Sequence, residues 1–197
     1  MENKATVRCN YNIVWIEGFK KCALSYTYTK EKSCIINLNP ENCVLGGIID
    51  KVLSNIIEID YSKEMVDELI REAQFDISEQ EKYLQRTYGY KKVNDIYSGM
   101  MSCSIYLSDN QLRVSPWKRR GPGAWDGMDK EHDIITRFPI PDELLGAAIR
   151  FAFTRCLGSG AIKVVKLLFP TGIPESLDEY LASVNPNYKN WLISAGE

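Results

Sequence analysis

Residues 141–156 read Pro-Asp-Glu-Leu-Leu-Gly-Ala-Ala-Ile-Arg-Phe-Ala-Phe-Thr-Arg-Cys, and this stretch decides the class of fold. A proline and two acids occupy the first turn, where the missing amide donor and the helix dipole favour them. Leu144, Leu145, Ala148, Ile149, Ala152 and Phe153 recur at spacings of three and four, the stripe of a helix laid on a core. Arg155 stands in the last turn and Gly158 just beyond it, so the helix has a start and a stop. What this helix covers is written on its N-terminal side. Asp133–Pro139 (DIITRFP) has strand character, and Met100–Leu107 with Gln111–Val114 makes a hairpin around Ser108-Asp109-Asn110. Pro116–Met128, rich in Pro, Gly and Trp, reads as irregular chain.

Further upstream, Tyr11–Phe19 (YNIVWIEGF) and Cys22–Tyr28 (CALSYTY) are strand-like. Lys30-Glu31-Lys32-Ser33 reads as a polar turn and Cys34–Leu38 as a third short strand, ended by Asn39-Pro40-Glu41-Asn42. Leu45–Ile57 predicts a short amphipathic helix, with Gly46-Gly47 as a tight turn beside it. Ser62–Tyr88 predicts two helices, one capped by Ser62 and one by Asp76 or Ser78, with Met65, Leu69, Ile70 and Ala73 as a buried stripe. A last helix is expected around Leu177–Val184. Strands, helices, strands and then a helix define an α+β fold: an antiparallel sheet with helices packed mainly on one side. Residues 1–197 read as a single domain, frayed only at Met1–Ala5 and Ser194–Glu197.

Composition narrows the function. Hydrophobic residues make up 45% of the 197 and charged residues 25%, as in ordinary globular proteins. With 24 basic and 26 acidic side chains the net charge is −2, too balanced for a whole-protein attraction to nucleic acid or a membrane surface. No run approaches the roughly 20 apolar residues of a membrane span, and the N-terminus has no apolar leader, so the expected location is the cytoplasm. There Cys9, Cys22, Cys34, Cys43, Cys103 and Cys156 stay thiols, although six is also a number that could pair. The chain lacks a Cys-x-x-Cys pair and has one histidine, which argues against zinc; no metal or cofactor is expected.

Three constellations could carry chemistry. His132, between Glu131 and Asp133, is the one imidazole available as a base for Cys103 or Cys156 in a small hydrolase; the plainer reading is a loop histidine. Gly158-Ser159-Gly160 lacks the five-residue nucleophile elbow and reads as a helix terminator, while Gly46-Gly47 lacks any phosphate-loop pattern. Trp117 and Trp125 bracket Lys118-Arg119-Arg120, which is either a nucleic-acid contact or a connector whose indoles dock on the core. Three cations are few for binding phosphates. Between Glu58 and Glu81 stand nine acids against Lys63 and Arg71. Such a face is either simply solvated or turned toward a cationic partner.

The segment Gly123-Ala124-Trp125-Asp126-Gly127, then Asp133-Ile134-Ile135, then Pro141-Asp142-Glu143-Leu144-Leu145-Gly146-Ala147-Ala148 closing near Arg155-Cys156, resembles the CdiI-type immunity proteins of bacterial contact-dependent growth inhibition. The resemblance spans Pro116–Gly160; the first hundred residues carry none. It implies an α+β protein without enzymatic activity that binds the C-terminal toxin domain of a cognate CdiA-type exoprotein, often a nuclease, and occludes it. Contacts in such pairs vary, so the resemblance assigns no binding residue. Charge alone nominates Glu64, Asp67, Glu68, Glu72, Asp76, Glu79 and Glu81 as the partner-binding surface.

Overall fold

The computed structural model describes residues 3–22, 25–54, 58–59, 63–121, 124–158 and 160–194. Its centre is a strand at the extreme N-terminus, β1 (Asn3–Cys9), in which apolar Ala5, Val7 and Cys9 alternate with polar Lys4, Thr6 and Arg8. The period of two sends these sets to opposite faces of the sheet. β1 pairs antiparallel with β2 (Ile13–Cys22) on one side and with β5 (Met101–Ser108) on the other. β2 continues to β3 (Ser25–Asn37) at one edge. β5 passes through β6 (Gln111–Gly121) and β8 (Ile134–Arg137) to β9 (Leu192–Ser194) at the other. The path β3-β2-β1-β5-β6-β8-β9 is antiparallel throughout; β4 (Glu58–Ile59) adds a short parallel pair to β2, and β7 (Ala124–Gly127) a hairpin to β6.

The apolar face is covered by α1 (Asn42–Ser54), α4 (Asp142–Arg155), α5 (Ala161–Leu168) and α6 (Leu177–Val184). Every residue of α4 from Leu144 to Phe153 is buried, because sheet and helices enclose it on all sides. Two glycines set the distance between α1 and α4. A Cβ on Gly46 would stand 1.9 Å from the Asp142 carbonyl oxygen, and one on Gly146 2.0 Å from that of Asn42. Each helix thus presses its backbone into the glycine of the other. Arg150, a buried charge of α4, donates to Asn39 Oδ1, to the Pro40 carbonyl and, at 3.3 Å, to the Leu168 carbonyl.

The opposite face carries α2 (Lys63–Tyr88) and α3 (Val93–Ile96) over a smaller cluster of Ile13, Trp15, Leu84, Ile96, Tyr97 and Met100. The antiparallel sheet with helices mainly on one side is as expected, with α2 and α3 as the minority layer. Asn10 ties that layer to the β1–β2 turn. Its amide donates to the Ile96 carbonyl at 2.7 Å, and its Oδ1 accepts from the backbone of Asn12 and Ile13.

Several local expectations are corrected. Met1–Ala5 is no frayed end over its described part, since Ala5 is wholly buried in the central strand. Lys30–Ser33 lies within β3 and not in a turn, at the irregularity where the register with β2 jumps from Cys34 to Thr29. Gly46-Gly47 lies within α1 because the crossing with α4 requires it. Ser62–Tyr88 yields one helix of 26 residues from Lys63; Asp76 and Ser78 lie inside it, and Ser62 falls outside the described residues. Ile70 is 45% exposed, while the side chains of Met65 and Leu69 lie outside the described residues. Pro116–Met128 is mostly a hairpin of β6 and β7, reached through a register shift between Arg119 and Gly121. Both α5 and β9 had no counterpart in the reading of the sequence.

Candidate functional site

Two surfaces, both beyond the apolar core, hold the chemically distinctive side chains. The first is built by register. Thr6 faces Glu17 on one neighbour and Ser104 on the other, and Arg8 faces Trp15 and Ser102. One face of three central strands is therefore polar, and Thr6, Glu17, Ser102 and Ser104 are nevertheless buried. The β6–β7 hairpin folds over them. Trp117 Nε1 donates to Ser104 Oγ at 2.9 Å, and Trp125 packs edge-on against Tyr97 with ring centroids 5.9 Å apart. Arg8 lies with its guanidinium 4.7 Å from the Trp125 ring and 5.5 Å from that of Trp15, and its Nη1 donates to Glu17 Oε1. Only 2% of the Glu17 side chain is exposed, so burial pushes its carboxyl above the usual range even with Arg8 pulling the other way. Lys4 Nζ sits 5.1 Å from the Phe19 ring and 5.6 Å from that of Tyr106. Between these groups lies an open cavity of about 390 Å³.

The second surface is α2. At 1.5 Å per residue its 26 residues extend about 39 Å. Among its described side chains Leu84 is fully buried and Ile77 and Tyr88 pack on the same cluster, so the C-terminal half anchors the helix. Phe75 is 65% exposed and Tyr83 53%. The i, i+4 spacing places positions 64, 68, 72 and 76 along one side. The structure divides the seven nominated acids. Glu68 and Glu72 are exposed, whereas Asp76 is half-buried. Glu79 accepts from Lys82 at 2.7 Å, and Glu81 accepts from the Tyr97 hydroxyl at 2.6 Å. The side chains of Glu64 and Asp67 lie outside the described residues.

The other candidates come apart. His132 forms part of a single 3-10 turn, and its ring meets Glu131 at 3.7 Å. Cys103 and Cys156 face each other at 3.7 Å inside the core, where Cys156 Sγ also donates to the Ser102 carbonyl at 3.3 Å. The thiol and the imidazole that a hydrolase would need are thus each engaged elsewhere. In the Trp hairpin Arg120 pairs with Asp126 and Arg119 Nε donates to the Gly121 carbonyl, while both indoles turn to the sheet. That is the connector reading, not an outward aromatic and basic platform. Among the described residues no group of three metal-ligating side chains forms. The sequence reading passed over Lys4, Arg8 and Glu17; the polar alternation of residues 4, 6 and 8 was the available signal.

The sheet is thus filled with apolar side chains on one face, and its second face is charged and aromatic and carries the acidic helix α2. The family profile described as CDI immunity protein, CdiI, matches residues 3–156, and the chain belongs to that family, which is one of immunity proteins and not of enzymes. Over 80 residues the chain is 30% identical to the immunity protein CdiI-YPIII of Yersinia pseudotuberculosis; the match covers 39% of this chain and 45% of that protein, less than half the relative's length. Among solved structures, a protein of unknown function from Neisseria meningitidis superposes with a TM-score of 0.71 at 25% identity, over 79% of this chain and 96% of that one. The toxin and immunity complex CdiA-CT/CdiI from Yersinia pseudotuberculosis gives 0.69 at 19% identity, over 79% and 98%, and shares the fold.

Proposed function

We propose that this chain is an immunity protein that binds the C-terminal toxin domain of a cognate CdiA-type exoprotein and neutralises it by stoichiometric occlusion. The observation that carries the reading is the family match across residues 3–156, which includes strands β1 to β8 and helices α1 to α4. The toxin of this pairing is a nuclease whose substrate groove is basic, and the contact surface on this chain is the acidic side of α2. Glu64, Asp67, Glu68, Glu72, Asp76, Glu79 and Glu81 supply that surface, with Glu68 and Glu72 the most accessible of those described. Opposite charge across an interface steers encounter and suppresses wrong partners. The protein works in the cytoplasm, where an incoming nuclease meets nucleic acid; among the described residues no helix is long and apolar enough to cross a membrane.

The test is co-expression with the toxic domain encoded immediately upstream of this gene. Rescued growth together with co-purification of the two chains is the expected result. Continued toxicity, with this protein present and folded, would sink the reading.

A further inference from the structure

We infer that Cys103 and Cys156 form a site of reversible oxidative modification, at which a small peroxide joins the two thiols in a disulfide that fastens the end of α4 to β5. The site is independent of the toxin binding proposed above. The two residues stand 53 apart in sequence, one within a central strand and one at the C-cap of α4, and their sulfurs face each other at 3.7 Å. Cys156 Sγ gives its proton to the Ser102 carbonyl at 3.3 Å, with the Ala152 carbonyl at 3.7 Å, so the bond between the sulfurs runs from Cys103 to Cys156. Burial and the neighbouring sulfur raise the Cys103 thiol well above its ordinary value. Burial opposes ionisation of Cys156 too, but hydrogen bonds from Cys103 and from the Trp117 backbone outweigh it and hold that thiol below its ordinary value. A thiolate is the nucleophile in sulfur chemistry, so Cys156 reacts first.

Access follows the same order. Cys103 is wholly buried, whereas Cys156 keeps 6% exposure at the helix end, next to the exposed Leu157. The Cys156 thiolate attacks one oxygen of hydrogen peroxide and the O–O bond breaks. A sulfenic acid forms on Cys156, and the other oxygen leaves as hydroxide, which takes up the proton that Cys156 released. Cys103 then attacks Cys156 Sγ. The S–S bond forms, the S–O bond breaks, and the hydroxyl group leaves with the Cys103 proton as water. The two thiols lose two electrons and two protons together, and the peroxide becomes two molecules of water. Closing the bond draws the sulfurs from 3.7 Å to about 2 Å, and the movement falls where α4 gives way to extended chain at Cys156. Cys9, a third thiol of this core, donates to the Asn10 carbonyl at 3.7 Å, and burial pushes it up, so it stands aside. A small thiol in solution reverses the modification by exchange.

The experiment treats the folded whole protein with hydrogen peroxide, caps the remaining thiols with N-ethylmaleimide in denaturant, and maps the peptides by mass spectrometry. The expected product is a linked Cys103–Cys156 pair that dithiothreitol removes, with Cys9 recovered as a capped thiol. Because the bond ties residues 53 apart, the urea midpoint is expected to rise on oxidation and to return on reduction. Two variants, with their fold checked by circular dichroism, test the order of events. Cys103→Ala is expected to stop at a sulfenic acid on Cys156, trapped by dimedone, and Cys156→Ala to leave Cys103 a free thiol under the same treatment. The peptide map of the unaltered protein decides the main claim whether or not the variants fold. Recovery of both residues as capped thiols, a bond from either to Cys9, a urea midpoint lowered by oxidation, or oxidation of Cys103 in Cys156→Ala would overturn the assignment.

Discussion

The two faces of this sheet solve opposite problems with the same central strands. On one, Ala5, Val7, Cys9, Val14, Ile16, Cys103, Ile105, Leu112 and Val114 meet the covering helices, and the polar groups buried with them include Thr136, opposite Leu112, and Arg150, whose two Nη atoms donate to oxygens of Asn39, Pro40 and Leu168. On the other, the alternate residues of the same strands are Thr6, Arg8, Glu17, Ser102 and Ser104, covered by a hairpin and by part of one helix. Burial of apolar area makes the first face the source of stability. The second face buries charge, which contributes little to stability on its own. The period of two along each strand thus separates an apolar face from a polar and charged one.

The sharpest way to break this contrast is to disturb the first face. Gly46→Ala or Gly146→Ala puts a methyl group on a backbone carbonyl across the α1–α4 crossing, with no flexible side chain to give way. Urea unfolding is expected to show a loss of about 3 kcal/mol or more, at the upper end of overpacking effects. On the second face, Glu17→Ala leaves Arg8 largely buried without its carboxylate and is expected to cost about 3 kcal/mol, whereas Glu17→Gln with Arg8→Gln costs far less. Comparable losses for the single and double changes would mean that packing, not charge, dominates there.

Smaller effects sharpen the picture. The folded Glu17 carboxyl titrates above its ordinary value, so its stabilising protonated form is complete below the usual carboxylate range. That contribution disappears as pH rises through the folded value. Stability should therefore fall with rising pH across this window, and Glu17→Gln should flatten the slope. Thiol chemistry should divide in the same way. Cys43 is exposed and is expected to alkylate in the native protein, while Cys9 and Cys103, buried with their thiols pushed up, react only on unfolding. Last, Glu68→Lys with Glu72→Lys touches exposed positions and should alter stability by less than about 0.5 kcal/mol. Its effect belongs in the association rate with a toxin, most visibly at low salt.

The same contrast explains what could be read from sequence. The helix at 142–155 was legible because its apolar stripe, first-turn acids and closing glycine all agree. The hairpin at 101–121 was legible up to Val114, since Asp109 and Asn110 both take the positive φ that such turns require. Beyond Val114 local signals and tertiary pairing conflict: Pro116 and a run of cations look irregular, yet β5 and β7 hold them as strand. The length of α2 was misread for the opposite reason, because Asp76 and Ser78 resemble caps while nothing in the chain interrupts the helix. The cavity was invisible, since Lys4, Arg8, Glu17 and Trp125 are brought together only by register and by a folded-over hairpin. The acids of α2, by contrast, could be nominated from composition alone, although only the structure shows Glu81 turned to Tyr97.

The most direct test mixes the purified protein with its purified cognate toxin domain and follows toxin activity as a function of molar ratio. Neutralisation by occlusion predicts a linear loss of activity that reaches zero at one immunity protein per toxin. Full toxin activity in the presence of excess folded protein would contradict the account.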